Sequence, residues 1–574
     1  MPPSDDSVTR VEERPDTPVR KRRLRSRRPA ILLSLAAVIA VAVVAAVVLT
    51  GGDDDAAPVA KAAAGVPVAG GTLTYAVAGT QVSLDPAVAA TAVTGLIDRN
   101  VFDSLVVQTD ADSFGPWLAK EWKISGDGRT YTFTLREGVT FHDGTPLNAQ
   151  AVKATLDHVV DPATKSAYAA SLIAPYKSAR AVSDLVVEIT LSRPFTPFLQ
   201  ALSVPYLGIQ SPAALAKPVA DYKPVGTGPF SYVSWEKDKR VTLKGNPAYA
   251  SPPGNATHAG APRLEGLVFE FVSEDATRYG ALTSGQVQAI AGVPPVNAEQ
   301  LKKTPGFTLN ARETPGLNYN LYLNQTRGPL RDVRVRRALS SAVNVGELIK
   351  NVYFGHYKAV RNPLSAITAA YDAAAEASLA GYDPAEAGRL LDEAGWKKGG
   401  PDGYRVKDGK ALTLIWPFWA EGNKEQRDVL AEGIQAQAKL AGIKIDRPTV
   451  DTGAYVSDYL IGGGYDLIDV SFARPTPDVL RFAFASGNTY AKAGGNVALV
   501  DSPEIDRWVQ EAAETADPAT AVRDYASVQA KVLKEAYVLP LYTPVQLVGL
   551  SDKVRDVTFD AQTYPVFYGA WLGA

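Results

Sequence analysis

From Ala30 to Leu49 the chain reads AILLSLAAVIAVAVVAAVVL without a single charge. About 20 residues at roughly 1.5 Å each reach across a hydrocarbon core of about 30 Å. The strongly basic VRKRRLRSRR at 19–28 precedes the run and GGDDD at 51–55 follows it. The positive-inside tendency therefore keeps residues 1–29 in the cytoplasm and places residues 51–574 on the extracytoplasmic side of the cell membrane. The run is longer than the roughly 7–15 apolar residues of a secretory signal, so it is read as an uncleaved anchor over residues 30–50. Cleavage near Ala62-Ala63-Ala64 is the alternative, and it leaves the body on the same side. Residues 51–70, rich in Ala, Gly, Asp, Pro and Val without a periodic apolar face, read as a flexible linker. What remains is a body of some 500 residues that must fold outside the cytoplasm.

That body has no cysteine, which removes disulfides, thiol nucleophiles and cysteine-held zinc. The four histidines, His142, His158, His258 and His356, stand far apart with no H-x-x-x-H pair, so no metal is expected. Beyond Pro29 the balance is 50 basic against 56 acidic residues, which offers no footprint for nucleic acid. G-x-S-x-G, Walker A, H-E-x-x-H and strand-bound G-x-G-x-x-G signatures are absent. Neither an enzyme nor a cofactor is expected. His142, in Phe-His-Asp-Gly, reads as a side chain tying a turn to nearby backbone, not as a base.

The pattern is α/β. Leu73, Tyr75 and Val77 alternate with small or polar residues as in a half-buried strand, and Trp122 to Arg136 reads as a hairpin about Ser125-Gly126-Asp127-Gly128. Asn148, Asp332 and Asp383 stand as N-caps before helical apolar stripes, the last with Pro384 at the first helical position. Strands over Leu412 to Trp416 and Tyr465 to Val470 alternate with a helix over Gln426 to Leu440. Breakers from Asn246 to Pro262 mark a surface excursion.

Several blocks carry a resemblance. Residues 115–158, GPWLAKEWKISGDGRTYTFTLREGVTFHDGTPLNAQAVKATLDH, are followed in order by PVGTGPFSYVSW (224–235), VRVRRALSSAVNVGELI (333–349) and YDPAEAGRLLDEAGW (382–396). Then come YDLIDVSFARPTPDVL (465–480), NVALVDSPEIDRWVQEA (496–512) and VLPLY (538–542). Together they resemble the extracytoplasmic solute-binding proteins of family 5, the receptors of peptide and nickel ABC importers. The resemblance implies a two-lobed periplasmic-binding-protein-like fold of type II with an extra domain on lobe I. Carried onto this chain, lobe I is discontinuous over 71–112, 225–325 and 540–574, the extra domain spans 113–224 and lobe II spans 326–539. Gly226-Thr227-Gly228 would return the chain to lobe I by close backbone approach. The implied function is capture of a small solute or peptide between closing lobes and delivery to a permease with its ATPase, by a monomer. A membrane-tethered solute sensor without a transport role is the alternative.

Peptide-binding members of the family usually carry Trp-x-x-Asp where this chain has Phe472 and Arg474. An arginine suits a carboxylate or phosphate and not a peptide ammonium, which points to an anionic or zwitterionic small solute, or to a peptide held differently. An internal salt bridge from Arg474 to Asp469 or Asp478 is the competing reading. Trp416, Phe418 and Trp419 are candidate pocket walls or lobe core, with alternation setting Trp416 and Phe418 on one face. Asn488 and Tyr490 are candidate solute contacts from a loop.

Overall fold

Thr72–Val77, the first strand, lies within a seven-stranded sheet that gathers the two ends of the body. The computed structural model describes residues 65–573 apart from 82, 89–90, 167, 219–220 and 400, and these form one unit. The expected tail over 1–29, the apolar span over 30–50 and most of the linker lie outside the described residues. Among the described residues no helix is long and apolar enough to cross a membrane.

The order across the large sheet is Phe307–Glu313, Val545–Ser551, Ala289–Ala291, Thr72–Val77, Gly266–Phe271, Arg240–Gly245 and Phe230–Glu236. Thr72–Val77 runs parallel to both of its neighbours, and the outer pairs are antiparallel. Leu73, Tyr75 and Val77 are buried against Phe269, Phe567 and Leu96. Burying each such side chain contributes roughly 1.5–3 kcal/mol.

The hairpin forms as Ala119–Ile124 against Thr130–Leu135 and widens into a four-stranded antiparallel sheet with Val186–Leu191 and Tyr176–Ser183. Tyr131, Phe133 and Leu135 are buried while the threonines between them are half-exposed, so the period of two selects the face that meets the helix Ala149–Val160. Asn148 Oδ1 accepts the Ala151 N–H at 3.0 Å and starts that helix. Asp332 and Asp383 cap Val333–Ala342 and Pro384–Glu393 in the same way.

A third sheet sets Tyr319–Leu323 between Leu467–Val470 and Val538–Tyr542. Leu467–Val470 pairs with Tyr319–Leu323, which pairs in turn with Val538–Tyr542, so segments that the resemblance assigns to different lobes share one sheet through these last two strands. Both are buried on both faces, so their side-chain pattern carries no sign of which sheet they join.

At Gly226-Thr227-Gly228 the backbones come very close: a Cβ on Gly226 would lie 2.0 Å from the Val101 carbonyl oxygen, and one on Gly228 2.6 Å from it. His142 ties the Phe-His-Asp-Gly turn to this crossing, its backbone N–H donating to Gly226 O and its Nε2 lying 2.9 Å from Gly228 O. Asp103 sits beneath, fully shielded, accepting from Ser251 Oγ (2.7 Å), Thr227 Oγ1 (3.0 Å) and Tyr249 OH (3.3 Å). Burial pushes its carboxyl up to about 7 despite these three donors. The folded protein therefore holds a proton that the unfolded chain releases near 4, and this group's contribution to stability falls as pH rises through that window. Asp103→Asn removes the titration. The melting-temperature advantage of the native protein over this variant is expected to shrink between pH 4.5 and 7.5 in thermal unfolding.

Candidate functional site

After the strand Leu467–Val470 the chain enters a loop from residue 471 to 478 that contains no helix or strand. Gly316 supports it from below. Its φ of +98° belongs to glycine, and a Cβ there would lie 2.3 Å from Phe472 O and 2.5 Å from Arg474 N. The next residue, Leu317, donates its N–H to Phe472 O at 3.0 Å.

Arg474, at the turn of this loop, is 4% exposed. Its guanidinium carbon stands 3.7 Å from the centroid of the Phe482 ring and 4.7 Å from that of Tyr168. These faces stabilise a cation, yet the Nε and Nη2 groups of Arg474 are sealed from solvent without a hydrogen-bond partner among the described residues. The competing internal salt bridge to Asp469 or Asp478 is absent among the described residues. Asp478 is engaged by Arg481 through two contacts of 2.8 and 2.6 Å and by Tyr525. Asp469 takes the Trp416 indole N–H at 2.6 Å and the Tyr319 hydroxyl. Among the described residues Arg474 is a buried cation without an ion-pair partner.

Beside this loop lies a cavity of about 270 Å³. Its walls come from distant stretches: Arg99 and Gln108, the 253–257 segment, Pro475 of the arginine loop, and Asp560 and Gln562. Burial lowers the Arg99 pKa and raises that of Asp560, and each charge works against that shift in the other. Inside the cavity these two opposite charges offset one another; Arg474 does not line it, and its loop reaches the wall through Pro475.

The other sequence candidates fall elsewhere. Phe472 is half-buried and meets Phe482 edge-on at 5.0 Å, so it shares the loop with Arg474. Trp416, a candidate for pocket wall or lobe core, is 2% exposed and its indole N–H is held by Asp469, as a core residue's would be. It continues the buried face of Leu412 and Leu414, while Thr413 and Ile415 between them are half-buried. The Arg447 guanidinium lies 5.1 Å from the Trp416 and Phe418 rings alike, so those two share a face. Trp419 stacks on Tyr455 at 5.2 Å and donates to Thr452 Oγ1. Asn488 is a strut of its own loop, its amide donating to Arg481 O and its carbonyl accepting from Asn496 N. Tyr490 is 37% exposed on the turn Tyr490–Lys492. None of these six residues lines the 270 Å³ cavity.

Sequence reasoning missed Gln108, Tyr168, Asp560 and Gln562. None of these stood inside an element or motif block legible in the sequence, so no local signal distinguished them.

The family model for bacterial extracellular solute-binding proteins, family 5 Middle, matches residues 113–493. The chain belongs to family 5 of the bacterial extracellular solute-binding proteins. Among curated relatives of this family 5 protein is the glutathione-binding protein GsiB of Escherichia coli (strain K12), 30% identical over 435 residues, covering 74% of this chain and 79% of GsiB. Among solved structures, NikA from Brucella suis, in complex with Fe(III)-EDTA, has a TM-score of 0.77 at 25% identity and covers 88% of this chain and 100% of NikA. The oligopeptide-binding protein AppA from Bacillus subtilis, in complex with a nonapeptide, has a TM-score of 0.76 at 21% identity over 89% of this chain and 100% of AppA, and so shares the fold. These family 5 relatives are binding proteins, and their fold is the α/β one described above.

Proposed function

We propose that this family 5 protein is the extracytoplasmic receptor of an ABC importer and captures a small solute that presents a carboxylate to Arg474. The observation that carries the reading is the guanidinium of Arg474, buried and unpaired between Tyr168 and Phe482. In this reading the seven-stranded sheet is lobe I with the four-stranded sheet as its extra domain, and the three-stranded sheet with the helices from Val333 to Lys534 is lobe II. The arginine loop stands on lobe II and Tyr168 on the extra domain, so closing the lobes assembles the anion site. Solute drives closure because its carboxylate compensates the cation only in the closed form. A permease and ATPase receive the closed, loaded receptor, which acts as a monomer held at the membrane by residues 30–50.

A cavity of about 270 Å³ lies at the lower edge of the roughly 300–1,000 Å³ usual for small-molecule sites. It suits a solute of amino-acid to short-peptide size, not a long peptide. The name of the relative GsiB makes glutathione, an anionic tripeptide, the first solute to test. Calorimetric titration of the full-length chain in detergent should show binding to glutathione or to other small carboxylates, and binding at least 10-fold weaker to their neutral amides. Equal affinity for acids and amides would reject the carboxylate reading.

A further inference from the structure

Two glutamines from outside the arginine loop grip its backbone. Gln108, in the strand Val106–Asp110, donates its Nε2 amide to Pro475 O at 2.9 Å and to Ala111 O at 2.9 Å. Gln562, in the turn from Asp560 to Tyr564, donates its Nε2 amide to Ala473 O at 3.1 Å. The two loop carbonyls flank Arg474 on either side, and both glutamines are 5% exposed. We propose that Gln108 and Gln562, besides walling the cavity, form a clasp that holds the arginine loop in its closed position, so that they set solute affinity through the closing step.

The inference rests on the receptor reading above. Within the loop, Phe472 O accepts from Leu317 and Arg474 N–H groups and Arg474 O accepts from Thr476 N. The carbonyls of 473 and 475 are bonded by the glutamines. When the loop withdraws, water must replace both amides. The donation also fixes which way each amide points, and it leaves Oε1 of both glutamines sealed and unpartnered. The clasp thus offers two or three donor bonds against two stranded acceptors, a near balance that a bound carboxylate tips. An amide is required: a carboxylate of the same size would face the loop carbonyls with an acceptor, and leucine would offer no donor.

The chain has no cysteine, so spin labels at introduced cysteines report one distance. Val233→Cys lies on the large sheet and Leu440→Cys at the end of the helix Arg427–Leu440, both exposed. In the full-length chain in detergent, the Gln108→Leu/Gln562→Leu pair should move the distance distribution toward longer values, with or without glutathione. In stopped-flow with a bound carboxylate, dissociation should quicken about 10-fold or more while association stays within about 2-fold. The Gln562→Glu variant should behave like the leucine variant at pH 7.5 and recover, relative to native protein, near pH 4.5, where its protonated acid can donate. A merely structural role predicts no such recovery. An unchanged distance distribution in a variant that unfolds at the native temperature would overturn the clasp, even if carboxylates bind. A shifted distribution in a protein that binds no acid of the panel would uphold the clasp and reject the solute reading instead.

Discussion

Replacing Arg474 by methionine is expected to abolish measurable capture of carboxylate solutes while leaving the protein as stable as before, or more so. The two effects share one cause. In the folded chain the guanidinium is buried against Tyr168 and Phe482 with Nε and Nη2 unpartnered, so its charge weakens the empty closed form and awaits a counter-ion. Methionine fills much of the same space and still packs well on aromatic rings, but it carries no charge. Replacing a buried, uncompensated ion by an apolar side chain of similar volume is often neutral or stabilising. A charge-assisted pair with solute is worth about 2–5 kcal/mol when one partner is truncated. Affinity should therefore fall by about 30-fold or more, and by more than 100-fold if the pair is bidentate. Calorimetry with glutathione or another bound carboxylate measures the first effect, and thermal unfolding of the empty protein the second. A variant that binds as tightly as the native protein would remove Arg474 from the site. One that loses binding and also melts well below the native protein would make Arg474 a structural residue.

Gly316→Ala is expected to damage both folding and binding. Gly316 holds φ at +98° and runs directly under the arginine loop, where a Cβ would approach Phe472 O to 2.3 Å and Arg474 N to 2.5 Å. Both obstacles are backbone, so no side-chain rotation relieves them. The segment is also anchored from the other side, since Gly316 N donates to Thr368 Oγ1 at 2.7 Å and Gly316 O accepts from Ser365 N at 2.8 Å. Strain at a glycine-only conformation together with a backbone clash belongs to the mechanisms that cost more than about 3 kcal/mol. Urea unfolding should show that loss. Any folded fraction should bind solute at least 10-fold more weakly, because relief of the clash must displace residues 472–474. Native stability in this variant would show that the loop yields freely, and would undercut the fixed placement of Arg474.

The elements that proved legible are those whose causes lie within a few residues. The hairpin follows from alternating Tyr131, Phe133 and Leu135 and a Gly-containing turn, and these three residues share the buried face. The helix starts at Asn148, Asp332 and Asp383 follow from side chains that reach N–H groups two or three residues ahead. Arg474 was legible as a change of sign at a recognisable position. Its surroundings were not, because Tyr168 lies some 300 residues earlier in the sequence and Phe482 sits on a separate helix. Trp416 stayed open between pocket and core for a related reason: an aromatic at a strand end is equally at home in either, and only the positions of Asp469 and Arg447 decide between them. Asn246 to Pro262, read as a surface excursion, does run without helix or strand, yet it supplies a wall of the cavity and the Ser251 hydroxyl that holds Asp103.

By itself the sequence determined the class of fold, the family, the local turns and caps, and the presence of an arginine where a cation would matter. Periodicity, capping and glycine placement act over one or two turns of chain, and the order of the motif blocks is carried by the chain itself. Tertiary structure alone decided that Arg474 lacks a partner, that Trp416 is core and that Tyr319–Leu323 joins the sheet of Leu467–Val470. It alone brought Gln108 and Gln562 to the two sides of one arginine. Whether a buried charge is paired depends on every group within a few ångströms, and in this chain those groups come from stretches that are neighbours only after folding.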